Sequence, residues 1–86
     1  MGKYKVEVKR SAVKEIESLP DRDIRDIIDR ISSLADNPRP HDCRKLSGRP
    51  QYRIRRGNYR ILYYIDDTLQ VVCIVKVGHR KNVYGI

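Results

Sequence analysis

The stretch YRIRRGNYRILYYI, from Tyr52 to Ile65, alternates tyrosine or isoleucine with arginine and resumes that pattern after a Gly57-Asn58 pair. An alternation with a period of two residues is typical of β-strands. Gly-Asn between two such runs is typical of a two-residue hairpin turn, because both residues tolerate positive φ. The stretch therefore predicts a β-hairpin that decides the fold, with strands at Gln51–Arg56 and Tyr59–Ile65.

The predicted turn also fixes which side chains share a face of the hairpin. It places Arg55 opposite Arg60 and Arg53 opposite Leu62, and directly opposed residues lie on the same face of a sheet. We expect the helices to cover the apolar face, which carries Ile54, Ile61, Tyr63 and Ile65. The opposite face then carries Arg53, Arg55, Arg60, Leu62 and Tyr64.

Three arginines on one sheet face require an explanation, because like charges directly opposite each other destabilise a sheet. There is no Asp or Glu between Arg44 and Ile65, so a carboxylate partner has to come from the helices. The other explanation is an anionic ligand. Guanidinium groups bind phosphate oxygens in a bidentate manner and can stabilise charge that develops on a phosphate during displacement. We favour this second interpretation.

The residues before the hairpin predict one strand and two helices. Tyr4–Val8 alternates like a half-buried strand, Ser11 is a candidate N-cap for a short helix, and Asp21 is a candidate N-cap for a longer one. Each helix has an apolar stripe: Val13, Ile16 and Leu19 in the first, and Ile24, Ile27, Ile28, Ile31, Leu34 and Ala35 in the second. The outer face of the second helix predicts i,i+4 ion pairs: Asp21/Arg25, Arg22/Asp26, Arg25/Asp29 and Asp26/Arg30.

The residues after the hairpin predict a third strand, Leu69–Val77, whose near-continuous apolarity is typical of an inner strand. A two-residue turn at Asp66-Asp67 would place Leu69, Val71 and Cys73 on the arginine face. A three-residue turn that includes Thr68 would place Gln70 and Lys76 there, and we prefer it because it leaves polar residues on the open face. Lys81–Ile86 is expected to be an extended tail.

These elements predict one α+β domain over residues 1–86. Its N-terminal strand and helical hairpin precede antiparallel strands that form one twisted sheet, with the helices on one face. A chain of 86 residues can bury only a simple core, so a deep catalytic cleft is not expected.

The positive charge of the chain is segregated. The formal net charge is +8. Up to Cys43 basic and acidic residues balance, so the entire excess lies in the second half, from Arg44 to Ile86. A basic surface confined to one region predicts a polyanionic partner such as RNA, DNA or a ribosome. A membrane surface is less consistent with it, because the excess lies on strand-like segments.

Several other functional classes lack support in the sequence. No signal-peptide pattern or membrane-spanning apolar run is present, and the 2 cysteines suit a soluble protein of the reducing cytoplasm. No zinc-ligand spacing joins the residues of ligand type, and no Gly-rich phosphate loop occurs, so no metal or cofactor is expected. The ligand-type residues are His41, Cys43, Cys73 and His79.

Three motifs, KLSG (45–48), YRIRRGNYRILYYIDD (52–67) and VGHRKNVYG (77–85), in this order resemble the RelE/ParE superfamily of bacterial toxin–antitoxin modules. The resemblance covers nearly the whole chain, and the basic sheet residues with Arg80 and Tyr84 resemble the RelE branch more closely. It implies a metal-independent endoribonuclease that enters the A site of the small ribosomal subunit, cleaves mRNA and inhibits translation. It also implies a cognate antitoxin, which we expect to cover the basic face and the helices by coupled folding and binding.

The resemblance assigns roles to individual residues. Arg53 and Arg55 match two basic positions near the scissile phosphate, and Arg60 matches an arginine that contacts the phosphate. Arg80 matches an arginine proposed to assist the leaving group, and Tyr84 matches a tyrosine that stacks on an mRNA base. We add contacts to RNA from five further basic residues: Lys45, Arg49, Arg56, Lys76 and Lys81.

The implied reaction is attack of a ribose 2′-OH on the adjacent phosphate, which yields a 2′,3′-cyclic phosphate and a 5′-OH. Arg55 stands where the RelE branch usually has a lysine, and arginine is a poor proton acceptor. His79 is therefore a candidate general base, since its unperturbed pKa lies near neutrality; the alternative is a surface histidine on a turn. The arginines can also act mainly by stabilising charge and distorting the mRNA.

Two other functions fit the same fold. One is a ParE-like inhibitor of DNA gyrase without nuclease activity, and the other is a noncatalytic nucleic-acid-binding protein or a decayed toxin. The basic cluster favours the nuclease, because gyrase binding has no evident need for convergent phosphate ligands. Tyr64 on the predicted arginine face has two open interpretations, as a packing residue or as a platform for a base.

Overall fold

The computed structural model describes residues 3–79, which form an α+β domain with a mixed sheet of 5 strands and two helices on one of its faces. The strand order is β1-β5-β4-β3-β2. No helix among residues 3–79 has the length and apolarity needed to span a membrane. In chain order the elements are β1 Lys5–Val8, α1 Arg10–Glu17, α2 Asp21–Ser33, β2 Arg44–Lys45, β3 Gln51–Arg56, β4 Tyr59–Asp66 and β5 Val71–His79.

The β3–β4 hairpin has the predicted register. Arg55 pairs with Arg60, and Arg53 pairs with Leu62. In the turn only Gly57 takes positive φ, at 59°, while Asn58 does not. This is the pattern of a type II′ turn, which has glycine at its first central position and matches the twist of the flanking strands.

Replacement of Gly57 by alanine is expected to destabilise the protein through backbone strain alone. A Cβ atom at this position meets nothing within 4 Å, so no clash contributes. A left-handed backbone costs an L-residue about 1–2 kcal/mol, and the free energy of unfolding in urea should fall by about that amount. Gly57→Asn is the matched control and should cost less, because asparagine tolerates this region. An equal loss for both variants would contradict the explanation.

The core lies between the helices and the apolar face of the sheet. It contains Ile54, Ile61 and Tyr63, as predicted, together with buried side chains from both helices. Tyr63 is the largest fully buried side chain. The other members of this core are Ala12, Ile16, Ile27, Ile31, Leu34, Val72, Ile74 and Val77.

The helix starts differ from the predicted ones. Ser11 is not an N-cap, because α1 begins at Arg10 directly after β1, where the Lys9 N–H donates to the Ile74 carbonyl at 2.9 Å. Asp21 is already helical and makes no capping hydrogen bond; the Pro20 carbonyl accepts the first bonds of α2 instead. Strand pairing and proline geometry, rather than side-chain caps, therefore position the helices.

Two predictions about the helix surfaces were wrong. Val13 and Ile28, assigned to the apolar stripes, are exposed. Within residues 3–79, none of the predicted i,i+4 pairs comes within ion-pair distance. The helical charges instead reach other elements: Arg30 binds Asp42, and Asp26 lies 3.7 Å from Arg56 of β3.

Strand β5 is an inner strand, as predicted, but neither predicted turn is present. It begins at Val71 opposite Asp66, after a longer connection in which Gln70 has a φ of 55°. It pairs with β1 in parallel, so the sheet is mixed. A bulge lies at Val75, because Leu62 pairs with Lys76 while Tyr63 pairs with Ile74. Each turn alternative therefore placed one half of the strand correctly. Before the bulge, Cys73 lies opposite Tyr64 on the arginine face, as the two-residue turn predicted. After the bulge, Lys76 lies opposite Leu62 on that face, as the three-residue turn predicted.

The β4–β5 connection is tied to the loop before β2 by Asp67. Its carboxylate accepts hydrogen bonds from Arg39 at 2.8 and 3.2 Å and from the Tyr4 hydroxyl at 2.7 Å. Arg39 also lies over the ring of Tyr52, with its guanidinium carbon 5.4 Å from the ring centroid. These contacts hold the loop that leads into β2.

The Asp67 contacts predict a loss of stability in acid. The Arg39 and Tyr4 hydrogen bonds lower the pKa of Asp67 from its ordinary value of 3.8 to about 2. Because the pKa is lower in the folded state, the stabilisation is complete above pH 3.8 and disappears as the pH falls toward 2. Urea unfolding across this interval should show a steeper decline for wild type than for Asp67→Asn. Asp36→Asn is the control and should follow wild type; identical curves for all three would exclude this role of Asp67.

Candidate nucleic-acid interface

Four arginines lie together on the sheet face away from the helices, and we call Arg44, Arg53, Arg55 and Arg60 the arginine cluster. Arg44 of β2 pairs with Arg53 of β3, and Arg55 pairs with Arg60 of β4. Since opposed residues share a face, both pairs are on the side of Leu62. Arg53 and Arg60 are half-buried, whereas Arg44 and Arg55 are exposed.

The electrostatics of the cluster reflect this crowding. Partial burial and the guanidinium groups of Arg60, Arg55 and Arg44 lower the pKa of Arg53. Arginine nevertheless stays protonated at neutral pH, so the charges persist at close range. A shallow cavity of about 310 Å³ lies among Asp42, Arg44, Arg53 and Arg55.

The carboxylates near the cluster are engaged elsewhere. Asp42 lines the cavity, but its two oxygens both lie 2.6 Å from Arg30 of α2, and this contact lowers the pKa of Asp42. Asp26 reaches Arg56, which is outside the cluster. Within residues 3–79 no member of the cluster forms an ion pair with a carboxylate, so neutralisation by the helices does not explain these arginines.

Arg60 has a buried nitrogen that lacks an acceptor. Its Nε atom has no hydrogen-bond partner among the described residues. A buried donor without an acceptor costs about 1–3 kcal/mol.

A small apolar cluster supports the arginines from beneath. Leu62 and Leu46 are buried against each other on the open face, and Val75 packs on them at the bulge. The Leu46 N–H donates to the Gln51 carbonyl at 2.8 Å, which continues the alignment of β2 with β3. Leu46 thus helps hold Arg44 beside Arg53.

The structure places the predicted RNA-contacting residues in different surroundings. Lys45 pairs with Tyr52, so by register it belongs to the opposite face, and Arg44 takes the place expected for it. Arg49 is exposed in the turn between β2 and β3. Lys76 lies 3.1 Å from Glu15 of α1. Arg56 faces Asp26, and Lys81 lies outside the described residues.

Arg44 is the member of the cluster that was not identified from the sequence. The sequence pattern that could have identified it is the alternation of Arg44, Lys45 and Leu46, which puts Arg44 and Leu46 on one face of a strand and Lys45 on the other. A strand of only 2 residues is too short for this pattern to be recognised without its partner strand.

His79 is not brought into the arginine cluster. It pairs with Tyr59, whereas its neighbour Gly78 pairs with Arg60. The His79 and Tyr59 rings are in edge contact, with centroids 5.9 Å apart, and the Tyr59 hydroxyl donates to Asp23 of α2 at 2.9 Å. His79 therefore belongs to the side of the sheet that carries α2. Arg80 and Tyr84 lie outside the described residues.

The cluster can bind a phosphate and stabilise negative charge on it, because guanidinium groups are donors only and match phosphate geometry. It provides no proton acceptor of ordinary basicity. Within residues 3–79, no group of three or more His, Cys, Asp and Glu side chains could hold a metal ion. The chemistry that these side chains support is electrostatic.

Comparison with known proteins gives consistent results for sequence and fold. The family model for the ParE toxin of the type II toxin–antitoxin system parDE matches residues 6–84. The protein named toxin RelE1 in Methanocaldococcus jannaschii is 28% identical in an alignment that covers 95% of this chain and 96% of that protein.

Two solved structures of toxin–antitoxin complexes resemble the fold closely. A chain of the RelBE2 complex from Mycobacterium tuberculosis matches with a TM-score of 0.81 and 30% identity, covering 90% of this chain and 98% of that one. A chain of the archaeal RelE–RelB complex from Pyrococcus horikoshii matches with a TM-score of 0.81 and 31% identity, covering 90% of this chain and 94% of that one.

Proposed function

The chain belongs to the ParE toxin family of type II toxin–antitoxin systems, within the RelE/ParE superfamily, and from this premise we propose that it is a ribosome-dependent mRNA endoribonuclease. It cleaves mRNA in the A site of the small subunit and thereby inhibits translation in the cytoplasm. The likeness to RelE proteins in sequence and fold supports this branch of the superfamily.

The arginine cluster is the observation that carries the proposal. Three of its four arginines, Arg44, Arg53 and Arg55, line one cavity. The guanidinium groups lower the pKa of Arg53 and have no carboxylate partner within residues 3–79. Such a cluster destabilises the free protein, and an RNA phosphate offsets that cost.

The proposed reaction uses the substrate's own nucleophile. The ribose O2′ attacks the adjacent phosphorus and loses its proton, the bond from phosphorus to O5′ breaks, and O5′ gains a proton. The products are a 2′,3′-cyclic phosphate and a 5′-OH. Arg53, Arg55 and Arg60 stabilise the additional negative charge on the phosphate oxygens in the transition state. Such stabilisation by preorganised donors is usually the largest single contribution to catalysis.

Two residues outside the described range complete the proposed site. Following the RelE resemblance, Arg80 assists the leaving O5′ and Tyr84 stacks on an mRNA base. We do not assign the general base to His79, because the strand register puts it beside Tyr59 rather than Arg60. Charge stabilisation and alignment of O2′ with the phosphate therefore supply most of the proposed acceleration.

We propose that a cognate antitoxin binds this chain, since the two solved structures described above are toxin–antitoxin complexes. The arginine cluster suits acidic residues of such a partner, and the exposed Val13 and Ile28 on the two helices suit apolar ones. Copurification with the product of a neighbouring gene tests this proposal. A stable complex is expected, whereas recovery of the free chain alone would count against it.

The experiment that tests the nuclease is cleavage of one defined mRNA, either bound to programmed ribosomes or free in solution. Cleavage on ribosomes only, with 2′,3′-cyclic phosphate and 5′-OH ends, is the expected result. A folded chain that binds its antitoxin but cleaves neither RNA sample would overturn the proposal.

The match to the ParE toxin model favours a second candidate, inhibition of DNA gyrase without nuclease chemistry. This candidate predicts loss of gyrase supercoiling activity at toxin concentrations that leave ribosome-bound mRNA intact. A chain inactive in both assays that still binds its antitoxin would be a decayed toxin.

A further inference from the structure

Tyr64 differs from the other described tyrosines in its exposure. Tyr4, Tyr52, Tyr59 and Tyr63 are buried or half-buried, and each hydroxyl makes a hydrogen bond to a residue distant in the sequence. Tyr64 is 40% exposed and lies on the face of the arginine cluster, opposite Gln51 of β3 and Cys73 of β5. Its ring is therefore available to a ligand.

A wide groove adjoins the Tyr64 ring on this open face. It is lined by Tyr64, Cys73 and Val75 together with Glu7, Val8 and Lys9 of the β1 segment. We call it the Tyr64 groove. Its volume is about 610 Å³, which accommodates a planar heterocycle stacked on the ring. The bulge at Val75 connects it to the cluster, because Val75 lines the groove and also packs on Leu62 and Leu46.

The groove lies within one nucleotide of the cluster. Arg53 pairs with Leu62, so Arg53 and Tyr64 are diagonal neighbours on adjacent strands of one face. Such neighbours are about 7–8 Å apart and within reach of long and aromatic side chains. A phosphate held by Arg53 therefore places an adjoining nucleoside over Tyr64.

We propose that the Tyr64 groove binds a nucleobase of single-stranded RNA, next to the phosphate held by the arginine cluster. Basic side chains that hold the phosphates, together with an exposed aromatic ring on which a base stacks, are the combination with which proteins bind single strands. This inference rests on the proposed function, since it identifies a subsite of that substrate. The charge of the neighbouring cluster favours RNA over an apolar segment of a protein.

The test is equilibrium binding of an RNA that cannot be cleaved. The probe is a fluorescent oligonucleotide of about six nucleotides with 2′-O-methyl groups throughout. A second set of probes carries one abasic nucleotide, placed at each position in turn. Fluorescence anisotropy of the full chain should show one position at which loss of the base weakens binding about tenfold.

Variants at Tyr64 then identify the residue under that base. Tyr64→Ala should bind the intact RNA about tenfold more weakly, and the abasic change should have no further effect. Tyr64→Phe should behave as wild type, while Tyr64→Leu, which keeps apolar bulk without an aromatic face, should resemble Tyr64→Ala. Leu69→Ala removes a 71% exposed side chain outside the groove and should leave all affinities unchanged.

Three results would contradict the proposed subsite. The wild type does not bind the intact RNA, or Tyr64→Ala binds it with unchanged affinity, or a folded Tyr64→Ala loses as much affinity for the abasic RNA as for the intact RNA. Thermal unfolding of each variant establishes that it is folded. The assay needs neither ribosomes nor cleavage, so its failure is distinct from failure of the proposed nuclease.

Discussion

Arg60→Ala is expected to lower the rate of mRNA cleavage on programmed ribosomes by about 10²–10³-fold, the usual effect of removing one preorganised donor to a developing oxyanion. Arg60 is half-buried, lies opposite Arg55 and has its Nε atom buried without an acceptor in the described residues. Its charge is therefore held close to the other arginines of the cluster by partial burial. Single-turnover rates measure the effect on the chemical step.

The controls for Arg60 separate geometry from charge. Arg60→Lys keeps the charge but loses the planar donor geometry, so it should recover only part of the rate. Arg25→Ala removes an equal charge from the exposed surface of α2, across the sheet, and should cleave within a few-fold of wild type. Full activity of Arg60→Ala would show that the cluster does not act at the scissile phosphate.

Tyr63→Ala is expected to destabilise the fold by about 3–5 kcal/mol, the usual cost of truncating a large buried aromatic residue. Tyr63 is completely buried and stacks on Tyr52, with ring centroids 5.8 Å apart. Burial raises the pKa of its phenol, which stays protonated and donates to the Pro38 carbonyl at 2.8 Å. A small domain is stable by only about 5–15 kcal/mol, so a substantial part of that margin is lost.

Two further variants divide this effect into packing and hydrogen bonding. Tyr63→Phe keeps the ring but leaves the Pro38 carbonyl without its donor, and should cost about 1–3 kcal/mol in urea unfolding. Tyr64→Ala removes the same number of atoms from the exposed neighbour and should cost much less. Equal losses at the two positions would mean that burial does not determine the cost.

The elements that local sequence determines were predictable. The β3–β4 hairpin follows from alternation around Gly57, and the length of its turn is enough to place Arg53, Arg55 and Arg60 on one face. Helical periodicity located both helices, although the exposure of Val13 and Ile28 depends on how each helix is rotated against the sheet. That rotation is set by tertiary packing, which the periodicity of one helix does not show.

The features that were missed depend on partners far apart in the chain. The bulge at Val75 changes the face of every later residue in β5, and it is seen only when β5 is aligned with β4. The pairing of Arg44 with Arg53 likewise requires β2 to meet β3. The position of His79 beside Tyr59 follows from the register of β5 on β4, so the local sequence around His79 does not show its separation from the cluster.

The parallel pairing of β1 with β5 has a consequence for biosynthesis. The first strand of the chain hydrogen-bonds to the last of the described strands, and β5 also supports β4 of the hairpin. Contacts of such large sequence separation form late, because a long loop must be closed first. During translation the sheet therefore cannot assemble until β5 has emerged from the exit tunnel. The arginine cluster rests on a complete sheet only then, so under the proposed function the chain becomes active only after β5 has left the tunnel.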